Sequence, residues 1–587
     1  MRLAQVLLGV GLARGIYAQV VEGGQFPLDA TEFAAHGQTI GEVITPELYS
    51  TIQDILKAQN VSGLSVGLVK PNGETELKTW GIKTDEGDAM TSDTLFNLAS
   101  CSKAFTAASI GILMDDYASG KNSTPLPPGL KEFTWNTKVK DILPGEWQIM
   151  DEWASEKANI RDILSHVSGL PRHDYSYGPY DSPQDIVTHM KHLRPAYELR
   201  EHWHYNNQMY VTASYIISKY AGPYMTFVKE RIFKPLNMTS TTFSPEEAIA
   251  SGKLTVTWTH TGRRIPFWFT EDTIELQAGA GGVTSSAEDM TRWLAFLLSG
   301  GLHPETNETL ISPSAFNEIT TAHVVTDGKA PNPNLSVAGY GMGWWRQSYR
   351  GHEFAYHSGA IPGFSTRTVF MPSDGLGMVL FLNVDEKASV HRKLSFKIMD
   401  SFLNISETDH SSHWDSRAKA HSNDHTVKPP PYKGTSNGSI ELTSLSGTYS
   451  NPGYGAFTIC DPSSTSQYCS EVLTDFSAVD SVSKRATEAQ LYAGWPRIWS
   501  THLRFVRQKD NEFEVIFTAL FPRGYGPDST PFETTETGEG QARAEFVVEN
   551  GKVIGFGLFG LIGEETERDR AGGSIQQRAE AWFTRVV

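Results

Sequence analysis

Residues 405–440, ISETDHSSHWDSRAKAHSNDHTVKPPPYKGTSNGSI, carry no apolar period and are punctuated by proline, glycine and charge. A stretch of that kind has too little apolar surface to build a core of its own and reads as a linker. It divides the chain into two differently patterned parts. At 587 residues the chain is also too long for a single ordinary core, so two domains are expected.

Before the linker, from about residue 43 to 404, short strand-like runs alternate with helical ones. GLSVGLVKPNGETELKTWGI reads as a hairpin turning at Pro71, Asn72 and Gly73. Helical periods follow near 101–116, 184–192, 207–220, 223–233, 287–299 and 388–403. FAYHSGAIPGFSTRTVFMPSDGLGMVLFLN, residues 354–383, reads as three strands parted by Pro-Gly and Ser-Asp-Gly turns. Strands at both ends with helices between predict an α/β (α+β) domain, an antiparallel sheet flanked by helices. Beyond the linker, at 441–587, SGTYS (from residue 446), GAFTI, THLRFVRQ, FEVIFTALF, AEFVVENGKVIGFGLFG and WFTRVV are short alternating strands. They predict a small all-β barrel or sandwich.

The 39% hydrophobic and 11% aromatic content is that of a globular protein, and a net charge of −17 argues against nucleic-acid binding. The N-terminus, MRLAQVLLGVGLARGIYAQV, has a basic residue, a short apolar stretch and a small residue at Ala18. It reads as a signal peptide over residues 1–18, hence as a secreted protein. Seven N-x-[ST] sequons fit the secretory pathway: Asn60, Asn122, Asn237, Asn307, Asn334, Asn404 and Asn437. No later apolar stretch is long enough to cross a membrane. Of three cysteines, Cys460 and Cys469 bracket the turn-like DPSSTSQY and are expected to pair in an oxidising compartment. Cys101 reads as a small buried residue. With no C-x-x-C or H-E-x-x-H spacing, no metal site is expected.

The chemistry-bearing stretch is TLFNLASCSKAFTAASIGIL, residues 94–113, where Ser100 and Lys103 stand three apart. A serine at a strand-to-helix junction is commonly a cap. S-x-x-K also recurs at Ser416–Lys419 and Ser481–Lys484, in a polar tract and a charged, loop-like stretch. The helix after Ser100, however, is too apolar for a surface, and at i and i+3 the Lys103 amine lies on the face of the hydroxyl. That is a way to activate serine without histidine. Such a nucleophile needs a second proton carrier, oxyanion donors and a substrate wall. Tyr205 and Asn207 form Y-x-N just before a helix, where a phenol can shuttle protons and an amide can orient the lysine. The same pattern recurs at Tyr449–Asn451. His357 and Gly359 form H-x-G on a strand, with a second copy at His260–Gly262 that lacks the flanking hairpin. Glycine there lets a substrate lie along the strand, where the N–H of Ala360 can join that of Ser100 in an oxyanion hole.

Together these motifs resemble the serine β-lactamase and penicillin-binding-protein superfamily, in particular its class C-like esterase and D-aminopeptidase branch. The resemblance spans roughly residues 43–404 and includes IRDILSHVSGLPRHD, FKPLNMTSTTFS, AGGVTSSAEDMTRWLAFLLSGG and GYGMGWW. The segment after 440 resembles the lipocalin-like β-domain of some members. The resemblance implies a β-lactamase/transpeptidase-like fold and an acyl-enzyme on Ser100, with acid–base work shared by Lys103 and Tyr205. It places Asn207 and His357 in the pocket and needs no cofactor. The sequence leaves open which of Lys103 and Tyr205 takes the first proton, the oligomeric state, and the role of the C-terminal domain. His357 departs from the lysine of true β-lactamases, and neutral imidazole holds a carboxylate poorly. An ester, lactone or small amide is therefore the expected substrate, by hydrolysis or acyl transfer. The alternatives are a D-amino-acid peptidase, a β-lactamase, or a non-catalytic binding or scaffold protein.

Overall fold

A computed structural model describes residues 41–405, 440–483, 489–535, 542–561 and 572–586. The signal-like N-terminus, nearly all of the linker, Ser416, Lys419, Lys484 and Asn437 lie outside these residues.

The first part is built on an eight-stranded sheet. Its strands, with the short pairs that lie beside it, are β1 (Gly63–Val69), β2 (Thr75–Gly81), β3 (Leu95–Asn97), β4 (Thr257–Trp258), β5 (Arg264–Ile265), β6 (Thr284–Ser286), β7 (Val324–Asp327), β8 (Ala338–Tyr340), β9 (Trp345–Tyr349), β10 (His352–Ile361), β11 (Phe364–Met371) and β12 (Leu376–Leu382). The sheet order is β2-β1-β12-β11-β10-β9-β8-β7, while β3 pairs β6 and β4 pairs β5 apart from it. The strands from the two ends of this part thus lie side by side, antiparallel, with Leu64 opposite Leu382. The hairpin turns as the sequence predicts, with Lys70 N–H donating to the Glu74 carbonyl.

The helices that matter here are α1 (Pro46–Ala58), α2 (Lys103–Ala118), α3 (Asn207–Ala221), α4 (Glu271–Gly281), α5 (Ala287–Leu298) and α6 (Ala388–Phe402). β11 and β12 are buried along their whole length, because helices cover both faces of the sheet. One face packs a cluster with Val369, Met378, Leu380, Leu394 and Ile52, from α6 and α1 as well as the strands. The other packs α2, whose residues are buried nearly all round, as its unbroken apolar run predicts. Phe105 stacks on Trp293 of α5 there, with ring centroids 4.2 Å apart.

The second part is a nine-stranded antiparallel sheet between Gly447 and Arg585. Its ends meet where Cys460 and Tyr492 exchange backbone hydrogen bonds of 2.7 and 2.9 Å, which brings the sheet round into a barrel. The centre is filled rather than hollow: Tyr449, Phe505, Phe546, Phe556 and Phe583 are all buried, and the Phe556 and Phe583 rings stack at 5.0 Å. The Cys460–Cys469 disulfide is formed and joins the closure point to a helix, α7 (Gln467–Ser483). Only its ends were read from the sequence, Gln467 and Tyr468 as turn-like and Ser481 as loop-like, and both are corrected to helix. Cys469, Val472, Phe476 and Val479 are its buried face, at helical spacing.

One apolar core runs through both parts, from Phe105 and Trp293 to Phe517 and Phe583. The linker therefore does not separate two independent bodies. Among the described residues no helix is long and apolar enough to cross a membrane.

Candidate active site

β3 delivers the chain to a 3-10 turn, Ala99–Ser102, which runs straight into α2. Ala99 there has φ +46°, a left-handed conformation that costs an L-residue about 1 kcal/mol. The Asn97 side chain holds it by accepting from Ala99 N–H at 2.8 Å. This kink leaves Ser100 partly exposed between buried neighbours. Ser100 does not cap the helix: no side-chain cap bond closes the start of either the turn or α2.

Lys103 is fully buried. Its Nζ lies 3.2 Å from Ser100 Oγ, 2.7 Å from Asn207 Oδ1 and 2.8 Å from the Ala280 carbonyl oxygen at the end of α4. Asn207 is oriented by Asp174, whose carboxylate accepts from its Nδ2 at 3.2 and 3.1 Å. A carboxylate can only accept, so the amide oxygen must face the lysine. Burial holds the Lys103 amine well below the usual lysine range; Asp174 raises it and Arg172 lowers it. A neutral amine has two N–H groups and one lone pair. In that form Asn207 Oδ1 and Ala280 O, both pure acceptors, would take both N–H groups and leave the lone pair for the Ser100 hydroxyl.

Tyr205 sits below that amine, with Nζ 4.8 Å from its ring centroid. His166 packs on the same ring at 4.5 Å, and the Trp345 ring lies parallel at 6.2 Å. His166 Nδ1 accepts from Asn206 N–H, which ties the SHVSGLP segment to the start of α3. Burial raises the Tyr205 phenol above its ordinary range, and Ser100 pulls it partly back. Its hydroxyl has no partner at hydrogen-bond geometry. An unpaired buried hydroxyl beside a nucleophile is a place for a substrate atom.

β9 pairs with β10 only as far as Tyr356, so residues 357–361 leave that edge of the sheet without a strand. Gly359 is needed for a different reason from the one its motif suggests. A Cβ there would overlap the Leu98 carbonyl and the Thr366 hydroxyl and press on Ala99. Glycine lets β10 touch the turn that carries Ser100. Gly359→Ala is accordingly expected to cost about 1–3 kcal/mol through overpacking, and to lower turnover as well. Denaturant unfolding checks it, and unchanged stability would mean that the contact yields freely. Ala360 follows on the same edge and is exposed.

His357 is 1% exposed. Its Nδ1 lies 2.7 Å from the Ser358 carbonyl and its Nε2 3.2 Å from Tyr340 Oη. A carbonyl only accepts, so Nδ1 carries the proton. Burial, then the nearby Lys103, depress the imidazole to about 3. The ring is therefore neutral, Nε2 accepts from Tyr340, and neither nitrogen is left for a substrate. On acidification the unfolded chain binds a proton near 6.5 that the folded ring refuses until about 3. Stability is thus lost as pH falls through that window.

Cys101 is buried and free, with Sγ 3.3 Å from the His357 carbonyl and burial raising its thiol. Among the described residues, two duplicates of the motifs have local roles. Tyr449 Oη donates to the Leu445 carbonyl inside the barrel, and Ser481 sits on α7, its hydroxyl bonded to the Ala478 carbonyl. His260, Asp385 and Glu386 bring metal-ligating atoms within 4.8 Å of one another. There the Asp385 carboxylate already accepts from the backbone N–H groups of His260 and Gly363. Sequence reasoning missed Asp174, Arg172 and the Ala280 carbonyl. Arg172 pairs with Asp174 and lies over the Tyr205 ring at 5.6 Å. The signal was present in SGLPRHD, quoted above only as a phrase.

Comparison with known proteins fits this frame. The family described as Beta-lactamase matches residues 48–400. "Unguisins hydrolase ungD'" of Aspergillus campestris is 30% identical over 377 residues, covering 62% of this chain and 66% of that relative. "Unguisins hydrolase ungD" of Aspergillus violaceofuscus is 26% identical over 447 residues, covering 69% and 74%. "Penicillin-binding protein 4*" of Bacillus subtilis is 28% identical, with 47% of this chain matched to 58% of that one. The chain thus spans just under two thirds of the first relative. The octameric penicillin-binding protein homologue from Pyrococcus abyssi has the same fold at 16% identity, with a TM-score of 0.51 over 92% of this chain and 99% of that one.

Proposed function

The chain belongs to the beta-lactamase family, and from that premise we propose that it is a serine hydrolase or acyltransferase working through an acyl-enzyme on Ser100. The observation that carries this reading is the placement of Lys103, a buried amine held by two fixed acceptors with its Nζ 3.2 Å from Ser100 Oγ. In acylation the Ser100 proton passes to Lys103 Nζ as Oγ bonds the substrate carbonyl carbon. The leaving group departs with a proton from the Tyr205 hydroxyl, which Lys103 then restores. Water or another hydroxyl then attacks the ester carbonyl carbon and passes its proton to Lys103 Nζ, which returns it to Ser100 Oγ as the C–Oγ bond breaks. The raised phenol of Tyr205 favours Lys103 as first base and Tyr205 as the acid. Ser100 N–H and Ala360 N–H are assigned to the oxyanion.

For substrate we favour an ester, lactone or small amide without an essential carboxylate. The support is His357, neutral and engaged within the protein, and Arg172, whose charge Asp174 already meets. The relatives named unguisins hydrolases add unguisins to the compounds worth trying. Secretion with glycosylation belongs to the same proposal. It is supported by the disulfide and by sequon asparagines at the surface: Asn60, Asn237, Asn307 and Asn404 are exposed, Asn122 and Asn334 partly so.

The test is a panel of a neutral ester, a lactone, a D-peptide, an unguisin and a penicillin near pH 7, run on the wild type with Ser100→Ala as the control. The neutral ester is expected to have the highest kcat/KM in the wild type, and the variant no turnover above background. A wild type that prefers penicillin removes the basis for this selectivity.

A further inference from the structure

The segment Arg172–Tyr177 runs between the catalytic helix and the barrel, and its side chains alternate between them. His173 Nδ1 meets Tyr454 Oη at 2.6 Å, the Tyr175 ring stacks on Phe517 at 3.9 Å, and Tyr177 Oη accepts from Trp499 Nε1 at 3.4 Å. All three partners belong to the barrel. The residues between them face the other way. Arg172 lies over Tyr205, Asp174 binds Asn207, and Ser176 Oγ accepts from Gln208 Nε2 at 2.9 Å. Tyr177 joins the two sides, donating to Asp174 Oδ1 at 2.9 Å. A continuous hydrogen-bonded path therefore runs from Trp499 through Tyr177, Asp174 and Asn207 to Lys103, and so to Ser100.

We propose that the C-terminal barrel is a working part of the catalytic site, gripping His173, Tyr175 and Tyr177 so that Asp174 acts as the positioning residue for Asn207 and Lys103. The inference rests on Ser100 being the acylated nucleophile and adds to it what sets the lysine's proton affinity. The segment has no helix or strand of its own to fix it. An irregular segment holds a geometry only as well as its packing does. Here that packing comes from the barrel, whose interior is already filled with rings. The groups around the Lys103 amine are Asp174, which raises its proton affinity, Arg172, which lowers it, and the Cys101 thiol. The Tyr205 and Tyr210 rings face it as well, and the neighbouring imidazoles of His166 and His357 are held neutral by burial. Burial is the largest influence on the amine, and Asp174 is the carboxylate of this set that opposes it, so its placement tunes where the amine titrates.

The experiment is the rate of Ser100 labelling by a fluorophosphonate, followed across pH on the full chain. It compares wild type, Asp174→Asn, Asp174→Glu and the barrel variants Phe517→Leu with Trp499→Phe, and Tyr454→Phe, with unfolding curves run alongside. Asp174→Asn removes the charge that raises the amine, so its acid limb is expected to move to lower pH while the plateau falls about tenfold or more. The Phe517/Trp499 double variant, which alters only the barrel side of the segment at Tyr175 and Tyr177, should shift limb and plateau the same way by a smaller amount. Tyr454→Phe should do so more weakly, and Asp174→Glu should recover part of the limb. Folded barrel variants with the wild-type limb and plateau overturn the proposal, whatever their stability, because a merely structural barrel would lower the melting temperature without moving the limb. If Phe517→Leu with Trp499→Phe does not fold, Tyr454→Phe alone decides by the same two readings. Wild-type protein that takes no label at Ser100 overturns the hydrolase reading itself, and this inference falls with it.

Discussion

Ser100→Ala is expected to reduce turnover by roughly 10⁶-fold, the scale on which a deleted covalent nucleophile is felt. The fold should hold. Ser100 is not a helix cap, and what it gives up is the 3.2 Å approach of Lys103 Nζ and its influence on the Tyr205 phenol. A serine-to-alanine change without a cap to lose costs under about 1 kcal/mol. Ala99, already in the left-handed region, keeps the turn whatever follows it. The check is steady-state kinetics on protein with an unaltered unfolding curve. Ser481→Ala serves as the control, because Ser481 is exposed on α7 and bonded only to its own helix. Activity near wild type in folded Ser100→Ala would remove the assignment.

Lys103→Met comes next in expected size. It keeps most of the buried volume but removes the base, so acylation should slow by about 10²–10⁴-fold. Its stability should also carry a pH signature. In the unfolded chain the lysine binds its proton up to about pH 10.4, whereas the folded site releases it well below that. Between those two values the unfolded state holds more protons, so wild-type stability rises with pH across the window. Methionine has no proton to bind. Relative to wild type, Lys103→Met should therefore gain stability as pH falls from about 10 toward neutrality. The offset is that Asn207 Oδ1 and the Ala280 carbonyl lose their donor. Denaturant unfolding at several pH values measures the trend. A stability difference that does not change with pH would mean that Lys103 is charged in the folded protein.

How much of this was legible in the sequence depended on whether the signal was periodic. α2 and the β10–β12 strands were readable because they are apolar runs whose lengths suit a buried helix and buried strands, and because the turns between the strands carry proline and glycine. Ser100, Lys103, Tyr205 and Asn207 were readable as motifs, and the fold brings all four together. What sets their chemistry was not. The second acceptor of Lys103 is a backbone carbonyl, and any residue at 280 supplies one. Asp174 stands in an irregular segment whose alternation has meaning only once a barrel hundreds of residues later packs against it. Gly359 was legible as glycine, but not the reason for it, because the clash it avoids is with Leu98, far away in sequence. Most of α7 was not legible, because its serines and aspartates obscure the spacing of Cys469, Val472, Phe476 and Val479. His357 looked like a pocket wall, and only burial and Tyr340 show that its nitrogens are spoken for.

A covalent intermediate on Ser100 is measurable as the mass of the protein trapped during turnover of a slow ester. Rapid acid quench followed by peptide mapping should find the acyl group on the peptide carrying Ser100, formed and lost at rates that account for kcat. It should be absent from Ser100→Ala. Turnover with no acylated protein, or an acyl group carried on Ser416, Ser481 or Cys101 instead, would contradict the account.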